Sequence, residues 1–278
     1  MSTKSEFDTT FYDDRVWGSS EIDPQRKGID LLKLERLIEA EKSWSGKRCL
    51  EVGCGTGRYL RGVSRLLSGN EVCLAGTDIS KKSLNVAQTL GCDVEYRVME
   101  NFQVPWEDQS FDVVCFLDVM EHVEDPAAFL TESMRVLKVG GVLHASVPME
   151  GDFRCLWRWF DFIGLHDRTK RLDGQIQRFT KKSLKAVFSG CGMELVREFY
   201  SYQIIGNLLD FALFNWLNIR RAMGHSGSHY EIVTASRSNK ASLAGCIASL
   251  AEAAMYWEGR ALGPFAGMNA HLTYRRIK

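Results

Sequence analysis

Between residues 47 and 148 the apolar residues alternate between two spacings. Short apolar runs at 47–52, 71–77, 93–98, 111–117 and 141–147 read as strands. Between them, at 57–67, 80–90 and 126–138, apolar residues recur at helical spacing, as in Tyr59, Leu60, Val63, Leu66 and Leu67. Strands that alternate with helices predict a parallel sheet covered on both faces, an α/β fold. Beyond that unit the pattern predicts a helix at 181–189 and strands at 193–203 and 270–276.

Two flanking regions differ in texture. In residues 1–46, Asp23-Pro24 predicts a helix start, and Ile29, Leu31, Leu32, Leu34, Leu37 and Ile38 give the helix its apolar face. Two readings stand for this region: cover for a sheet edge, or a lid over a ligand touched by Tyr12 or Arg26. The stretch 204–219 is apolar nearly all round, because Phe211 and Phe214 fall on the side of Asn207, Asp210 and Asn218. Such a helix is buried, paired with another chain or set into a lipid interface, and it is too short to span a bilayer. Residues 224–240 read as a linker, and 241–259 as a second helix with Leu243, Ile247, Leu250, Met255 and Trp257. The expected division is a lid or helical segment at 1–46 and a core at 47–203, with an acceptor-side insertion at 149–178. An apolar helical cap follows at 204–263 and a final core strand at 264–278.

Composition adds exclusions. The 278 residues are 45% hydrophobic and 25% charged, with 35 basic and 35 acidic residues. That balance, with no continuous basic stripe, argues against a nucleic-acid partner. The start, Met1 to Asp8, has no apolar signal core, and the 8 cysteines form no Cys-x-x-Cys pair. A cytoplasmic protein that uses cysteine as a small hydrophobe is the expectation.

The candidate chemistry begins where the first strand stops. Leu50-Glu51-Val52 runs into Gly53-Cys54-Gly55-Thr56-Gly57, and helical spacing resumes after it. Strand, glycine turn and helix let backbone pass close to a nucleotide-like ligand, since glycine has no Cβ and accepts positive φ. Glu51 is costly to bury unless it meets a partner, and a ligand can supply one. In such sheets ligands sit at the carboxyl ends of the strands. There Asp78 follows strand two, at a spacing suited to ribose hydroxyls. A helix N-cap is the plainer role for it, but Ser80 can take that role and leave Asp78 free. The dinucleotide fingerprint needs glycine where Arg58 stands, and no phosphate loop of the Gly-Lys-Ser/Thr kind is present.

The run from Leu50 to Gly57 resembles motif I of the class I S-adenosylmethionine-dependent methyltransferases. Thr77-Asp78-Ile79-Ser80 is similar to their ribose-binding acid motif, and 110–116 to their fourth strand. Residues 137–143 resemble the turn before their fifth strand, with Val139 where proline is usual. The resemblance covers roughly residues 45–150. It implies a Rossmann-like, seven-stranded, mostly parallel sheet with helices on both faces and a helical insertion before the last strand. It also implies S-adenosylmethionine as cofactor. Glu51 would orient the methionine end. Gly53, Gly55 and Gly57, with Cys54 and Thr56 between them, would bring backbone to the amino-acid moiety. Asp78 would take the ribose and Ile79 the adenine, with Leu117 and Asp118 after strand four completing the set. One departure stands out: Val98 occupies the place of the acid that many relatives use for the adenine amino group. The backbone at 98–99 or Glu100 must then serve, so Met99 and Glu100 join the expected cofactor residues.

Methyl transfer from a sulfonium is an in-line displacement, which needs positioning above all. A hydroxyl or amine acceptor must also lose a proton. His122 is the candidate base, with Glu121 beside it; the plainer reading is that both hold the loop after strand four. Asp118, Glu121 and His122 have i, i+3, i+4 spacing, similar to the Glu-x-x-Glu-His-Val of ubiquinone-pathway O-methyltransferases. That makes a divalent cation an alternative reading, but the expected site contains no metal. The insertion 149–178 carries Phe153, Trp157, Trp159, Phe160 and Phe162 among Arg154 and Arg158. It suits a small or lipophilic acceptor. Segments 153–162 and 204–219 are also candidates for peripheral membrane contact or a homodimer contact. His144, His166, His225 and His229 are expected to be incidental. The expected activity is methyl transfer to a small or lipophilic molecule at oxygen. The alternatives are a non-catalytic cofactor-binding or interaction protein, and transfer to nitrogen or carbon.

Overall fold

The computed structural model describes Val16, Gly18 and residues 21–155, 158–159, 175–209, 211–212 and 243–278. Tyr12, Trp157, Phe160, Phe162, His166, His225, His229, the linker 224–240 and all of 213–219 lie outside the described residues.

In chain order the elements are α1 (Ile29–Glu39), β1 (Arg48–Val52), α2 (Arg58–Leu66), β2 (Cys73–Asp78), α3 (Lys81–Thr89), β3 (Val94–Val98) and β4 (Phe111–Leu117). A 3₁₀ turn (Met120–His122) follows, then α4 (Pro126–Arg135), β5 (Leu137–Pro148), α5 (Lys181–Phe188), β6 (Met193–Ser201), α6 (Leu243–Ala261) and β7 (Asn269–Arg276). The seven strands form one sheet in the order β3-β2-β1-β4-β5-β7-β6. β1 to β5 pair in parallel, and β7 runs antiparallel to both its neighbours. The expected Rossmann-like α/β architecture is therefore present. Strand order reverses between β1 and β4, so the carboxyl ends of those two strands open the crevice where ligands bind in such sheets.

Alternation along the central strands makes two cores. Leu50, Val114, Phe116, Leu143 and Ala145 face one side, with Phe129 and Leu130 of α4. Cys49, Val113, Cys115 and Leu117 face the other, against Leu34 and Leu37 of α1 and Leu60 and Val63 of α2. Strands buried on both faces read as continuous apolar runs, which is why the sequence pattern marked them. Four cysteines, Cys49, Cys54, Cys115 and Cys155, are buried as small hydrophobes, whereas Cys73 and Cys246 are exposed.

Three local expectations need correcting. Asp23-Pro24 makes a turn, with the Arg26 amide on the Asp23 carbonyl, and the helix begins only at Ile29, after an extended Gly28. Arg26 is engaged by Glu252 at 2.9 Å and by Ser249, which gives it a structural partner in α6. The helix expected over 126–138 stops at Arg135, because Leu137 already pairs with Phe111 as the start of β5. Register then shifts before Val113 meets Val142, and Val139 is left exposed at that irregularity.

α6 returns across α1. Tyr256 donates to Glu35 at 2.8–2.9 Å, and Arg260 reaches Glu39 at 2.6 Å. Glu258, buried on α6, accepts from the amides of Ile204, Ile205 and Gly206 at 2.7–3.0 Å. Residues 205–209 are helical, so a carboxylate sits where the amides at a helix start have no intrahelical partner.

Candidate functional site

The glycine turn leaves β1 as a coil of left-handed residues: φ is 74° at Gly53, 53° at Gly55 and 72° at Gly57. Neighbours fill the space a side chain would take. A Cβ on Gly53 would lie 2.6 Å from Val119, and one on Gly57 would lie 2.1 Å from the Tyr96 hydroxyl. The loop after β4 therefore packs directly on the turn, and β3 supports it from the other side. The amides of Gly53 and Cys54 donate to the Thr77 carbonyl, which ties the turn to β2.

Asp78 closes the ring. Its Oδ2 accepts from the Gly55 amide at 2.7 Å and its Oδ1 from the Ser80 amide at 2.9 Å. Ser80 is the N-cap of α3, as expected, accepting from the Ser83 amide at 3.1 Å. Asp78 is nonetheless not free: it holds the glycine turn in shape. Burial raises its pKa, while the Ser80, Gly55 and Ile79 amides pull it down.

Glu51 is 2% exposed, and its Oε2 has no hydrogen-bond partner. Burial pushes its pKa up to about 8. The Arg58 guanidinium, the Leu60 amide and Arg61 work against that rise, and Asp78 adds to it. A buried carboxyl with one oxygen unpartnered is a reservoir of binding energy for a positive group.

The remaining expected residues distribute unevenly. Cys54 and Thr56 are buried, and the Thr56 hydroxyl donates to the Gly18 carbonyl, so these two offer only backbone to a ligand. Ile79 is partly buried against the core, Met99 is buried with its amide on the Asp78 carbonyl, and Glu100 is exposed. Leu117 ends β4 in the core. Asp118 follows in left-handed backbone at φ 56°. It pairs with Lys33 of α1 and accepts from Asn269 at 3.2 Å and Ser146 at 3.3 Å. Sequence reasoning did not single out Lys33, Ser146, Asn269 or Val119. Lys33 carried a readable signal: it lies on the helical stripe of Ile29, Leu32 and Leu37, the face buried against the sheet.

The acceptor side begins at the 3₁₀ turn. Glu121 is 2% exposed with Oε2 unpartnered, and its carbonyl accepts the amides of Ile176 and Gln177, both at 2.9 Å. Burial, and then the Asp118 charge, lifts its pKa well above the usual carboxylate range. The His122 Nε2 lies 3.8 Å from Glu121 Oε1, too far for a hydrogen bond. His122 retains partial exposure. Among the described residues no three His, Cys, Asp or Glu side chains could hold a metal ion. Asp118 lies outside the 3₁₀ turn, so the i, i+3, i+4 spacing does not place it on one helical face with Glu121 and His122. His144 is buried on β5 with Nδ1 3.0 Å from the Thr273 hydroxyl.

The crevice thus presents three acids in or just after strands β1, β2 and β4 around a turn that admits backbone contact. Residues 50–145 match the family model described as a methyltransferase domain. This stretch is a class I S-adenosylmethionine-dependent methyltransferase domain. Its curated relatives include the ubiquinone biosynthesis O-methyltransferase of Bordetella bronchiseptica, 35% identical over 133 residues, which are 46% of this chain and 53% of that protein. The protein of the same name from Ruegeria sp. is 32% identical over 40% of this chain and 44% of its own length. The chain spans about half the length of these curated relatives. Among solved structures, an S-adenosylmethionine-dependent methyltransferase from Mesorhizobium loti superposes with a TM-score of 0.53 at 15% identity, over 88% of this chain and 98% of its own. The [4+2]-cyclase SpnF superposes at 0.55 with 19% identity, over 87% and 79%. At such identity the likeness is one of fold, and the fold of the methyltransferase domain does not by itself choose a reaction.

S-adenosylmethionine fits the residues present. Its methionine amine and its ribose hydroxyls are donors, and the crevice offers the unpartnered Glu51 Oε2 and the Asp78 carboxylate as acceptors.

Proposed function

We propose that this protein transfers a methyl group from S-adenosylmethionine to a hydroxyl oxygen of a small or lipophilic acceptor. The observation that carries this reading is the buried Glu51 carboxyl, whose Oε2 has no partner, beside a glycine turn that Asp78 braces through the Gly55 amide. When bound, S-adenosylmethionine supplies an electrophilic methyl group on a sulfonium. The chain's own residues do the rest. Glu51 accepts from the methionine amine and Asp78 from the ribose, and the Gly53–Gly57 turn carries backbone past the amino-acid end. Ile79 and Met99 give apolar surface to the base. His122, at the rim and partly exposed, takes the proton of the acceptor hydroxyl.

Relatives named for O-methylation in ubiquinone biosynthesis support oxygen as the target and a lipophilic acceptor. The test is transfer of labelled methyl from S-adenosylmethionine into a cell extract, followed by solvent partition. Label is expected in an extractable small molecule or lipid. Label in protein or RNA, or cofactor binding without any transfer, would overturn the reading. His122→Ala should leave cofactor affinity by calorimetry unchanged and slow transfer by roughly a hundredfold or more; full activity would remove His122 as the base.

A further inference from the structure

S-adenosylmethionine carries an α-ammonium and an α-carboxylate at its amino-acid end, and Glu51 answers only the first. The glycine turn has little left for the second. The amides of Gly53 and Cys54 lie on the Thr77 carbonyl, that of Gly55 on Asp78 and that of Gly57 on the Cys54 carbonyl at 2.8 Å, so four of its five amides are committed. The cations of α2 beside the turn, Arg58 and Arg61, pair with Asp30 at 3.2 Å and with Glu21 at 3.5 Å. Lys33 differs from both. It is buried on α1, and among the described residues its ammonium meets one acceptor, Asp118 Oδ2, although it has three N–H donors. Asp118 is itself fixed: its Oδ1 accepts from Asn269 and Ser146, which leaves Oδ2 to Lys33. Val119, the next residue, fills the space against Gly53. Lys33 therefore reaches the end of β4 beside the start of the glycine turn. Tyr59 ties this corner to Glu51: burial raises the pKa of its hydroxyl, and the charges of Asp30, Asp118 and Glu51 add to the rise.

We propose that Lys33 binds the α-carboxylate of S-adenosylmethionine and makes the site selective for a donor with an intact amino-acid end. It keeps one N–H on Asp118 and turns the others to the carboxylate. A buried cation with spare donors costs free energy until they are met, and a hydrogen bond between two charged groups is among the strong ones. Asp118 is the positioning residue for this contact. With Ser146 and Asn269 on its other oxygen it sets where the Lys33 ammonium stands. The ends of the donor's zwitterion thus fall to two elements, the ammonium to Glu51 of β1 and the carboxylate to Lys33 of α1. The inference rests on S-adenosylmethionine as the donor and is independent of the acceptor.

The test is calorimetry of the full chain with S-adenosylmethionine and with its decarboxylated form, which keeps the amine and the sulfonium and lacks the carboxylate. The wild type should bind S-adenosylmethionine tighter by about tenfold or more. Lys33→Met should lower that affinity by about tenfold or more and leave binding of the decarboxylated form undiminished, so that the preference is lost. Lys33→Arg keeps the charge and should restore part of the preference. The ratio of the two affinities within one variant does not depend on how much of it is folded. If Lys33→Met alone fails to fold because Asp118 loses its cation, the double variant with Asp118→Asn buries no unpaired charge, and the same ratio is read from it. Undiminished affinity for S-adenosylmethionine in Lys33→Met would overturn the proposal and leave the carboxylate to backbone amides. An equal loss for both donors would also overturn it, since Lys33 would then act on the fold alone. Wild-type binding that does not distinguish the two donors would strike this inference alone, whereas no binding of either would strike the methyl-transfer reading with it.

Discussion

Replacing Glu51 with glutamine should separate stability from binding at this site. In the folded protein the Glu51 carboxyl titrates near 8, against 4.5 when unburied. Below pH 4.5 it is protonated in both states and contributes no pH dependence. Between 4.5 and 8 the unfolded chain has lost the proton that the folded chain still holds, so stability falls as pH rises, and above 8 the loss is complete. At about 1.4 kcal/mol for each pH unit, the loss at pH 7 is roughly 3 kcal/mol. Glu51→Gln removes the titration while keeping the shape. The ligand-free variant should therefore match the wild type near pH 4.5 and exceed it at pH 7 by up to about 3 kcal/mol, or roughly 5 °C in melting temperature. The figure is a ceiling, since the substituted amide also has buried polar atoms to satisfy.

Binding should move the other way. A positive amine meeting Glu51 favours the carboxylate, so binding releases a proton and tightens as pH rises toward 8, by up to about tenfold per unit. Calorimetry of S-adenosylmethionine binding in two buffers of different ionisation enthalpy reads the released proton directly. In Glu51→Gln that release should vanish, affinity should drop, and its pH dependence should flatten. A variant less stable than the wild type at pH 8, or wild-type binding with no proton release between pH 6 and 8, would refute the assignment of Glu51 as the acid that meets the amine.

Three further outcomes follow from the geometry. Asp78→Ala should abolish cofactor binding by calorimetry, because it removes the ribose acceptor and the partner of the Gly55 amide together. Asp78→Asn keeps an oxygen for the Gly55 amide but turns an NH2 toward the Ser80 amide, so it should melt below the wild type, by a few degrees, while still binding weakly. Gly57→Ala should be severely destabilising by urea titration, since its Cβ would lie 2.1 Å from the Tyr96 hydroxyl at φ 72°, and Tyr96→Phe should recover part of the loss by moving the nearest atom to 3.0 Å. Gly140→Ala has the same backbone problem at φ 79° with nothing within 4 Å, and should cost only about 1 kcal/mol. His144 is held neutral by burial, its pKa pushed down from 6.5 to about 3. The unfolded chain alone takes up its proton below pH 6.5, so stability falls as pH drops from 6.5 toward 3 and is unaffected above. His144→Gln should therefore shrink the difference in unfolding free energy between pH 7 and pH 5 by roughly 2 kcal/mol.

The parts of the fold that declare themselves in sequence are those where one physical constraint dominates. Strands buried on both faces must be apolar throughout, so β1, β2, β4 and most of β5 read directly, and a turn of left-handed residues must be glycine. The ends of elements read less well. β5 begins at Leu137 because Leu137 pairs with Phe111, and a strand partner is a long-range fact that no local period contains. Asp78 shows the same limit at the site. Its place after β2 was legible, but that its two oxygens would brace the Gly55 and Ser80 amides depended on how closely the turn folds back.

Polar residues that face inward are harder still, because the hydrophobic pattern reads them as surface. Lys33 sits on the buried stripe of α1, at 5% exposure, and only its pairing with Asp118 makes that burial tolerable. On α6 the inversion is complete: the residues a pattern would assign to water, Glu252, Tyr256 and Glu258, are the buried ones. They bind Arg26, Glu35 and the amides of 204–206, so hydrogen bonds and ion pairs join the apolar contact of Tyr256 with the core in holding α6. A helix attached in that way has its apolar residues left over, and Ile247, Leu250 and Trp257 can only point outward. Sequence alone finds the apolar residues of α6 and reads the helix as part of a cap, without saying which side chains face inward. The structure shows Glu252 and Glu258 buried on the inner side of that helix and Ile247, Leu250 and Trp257 exposed.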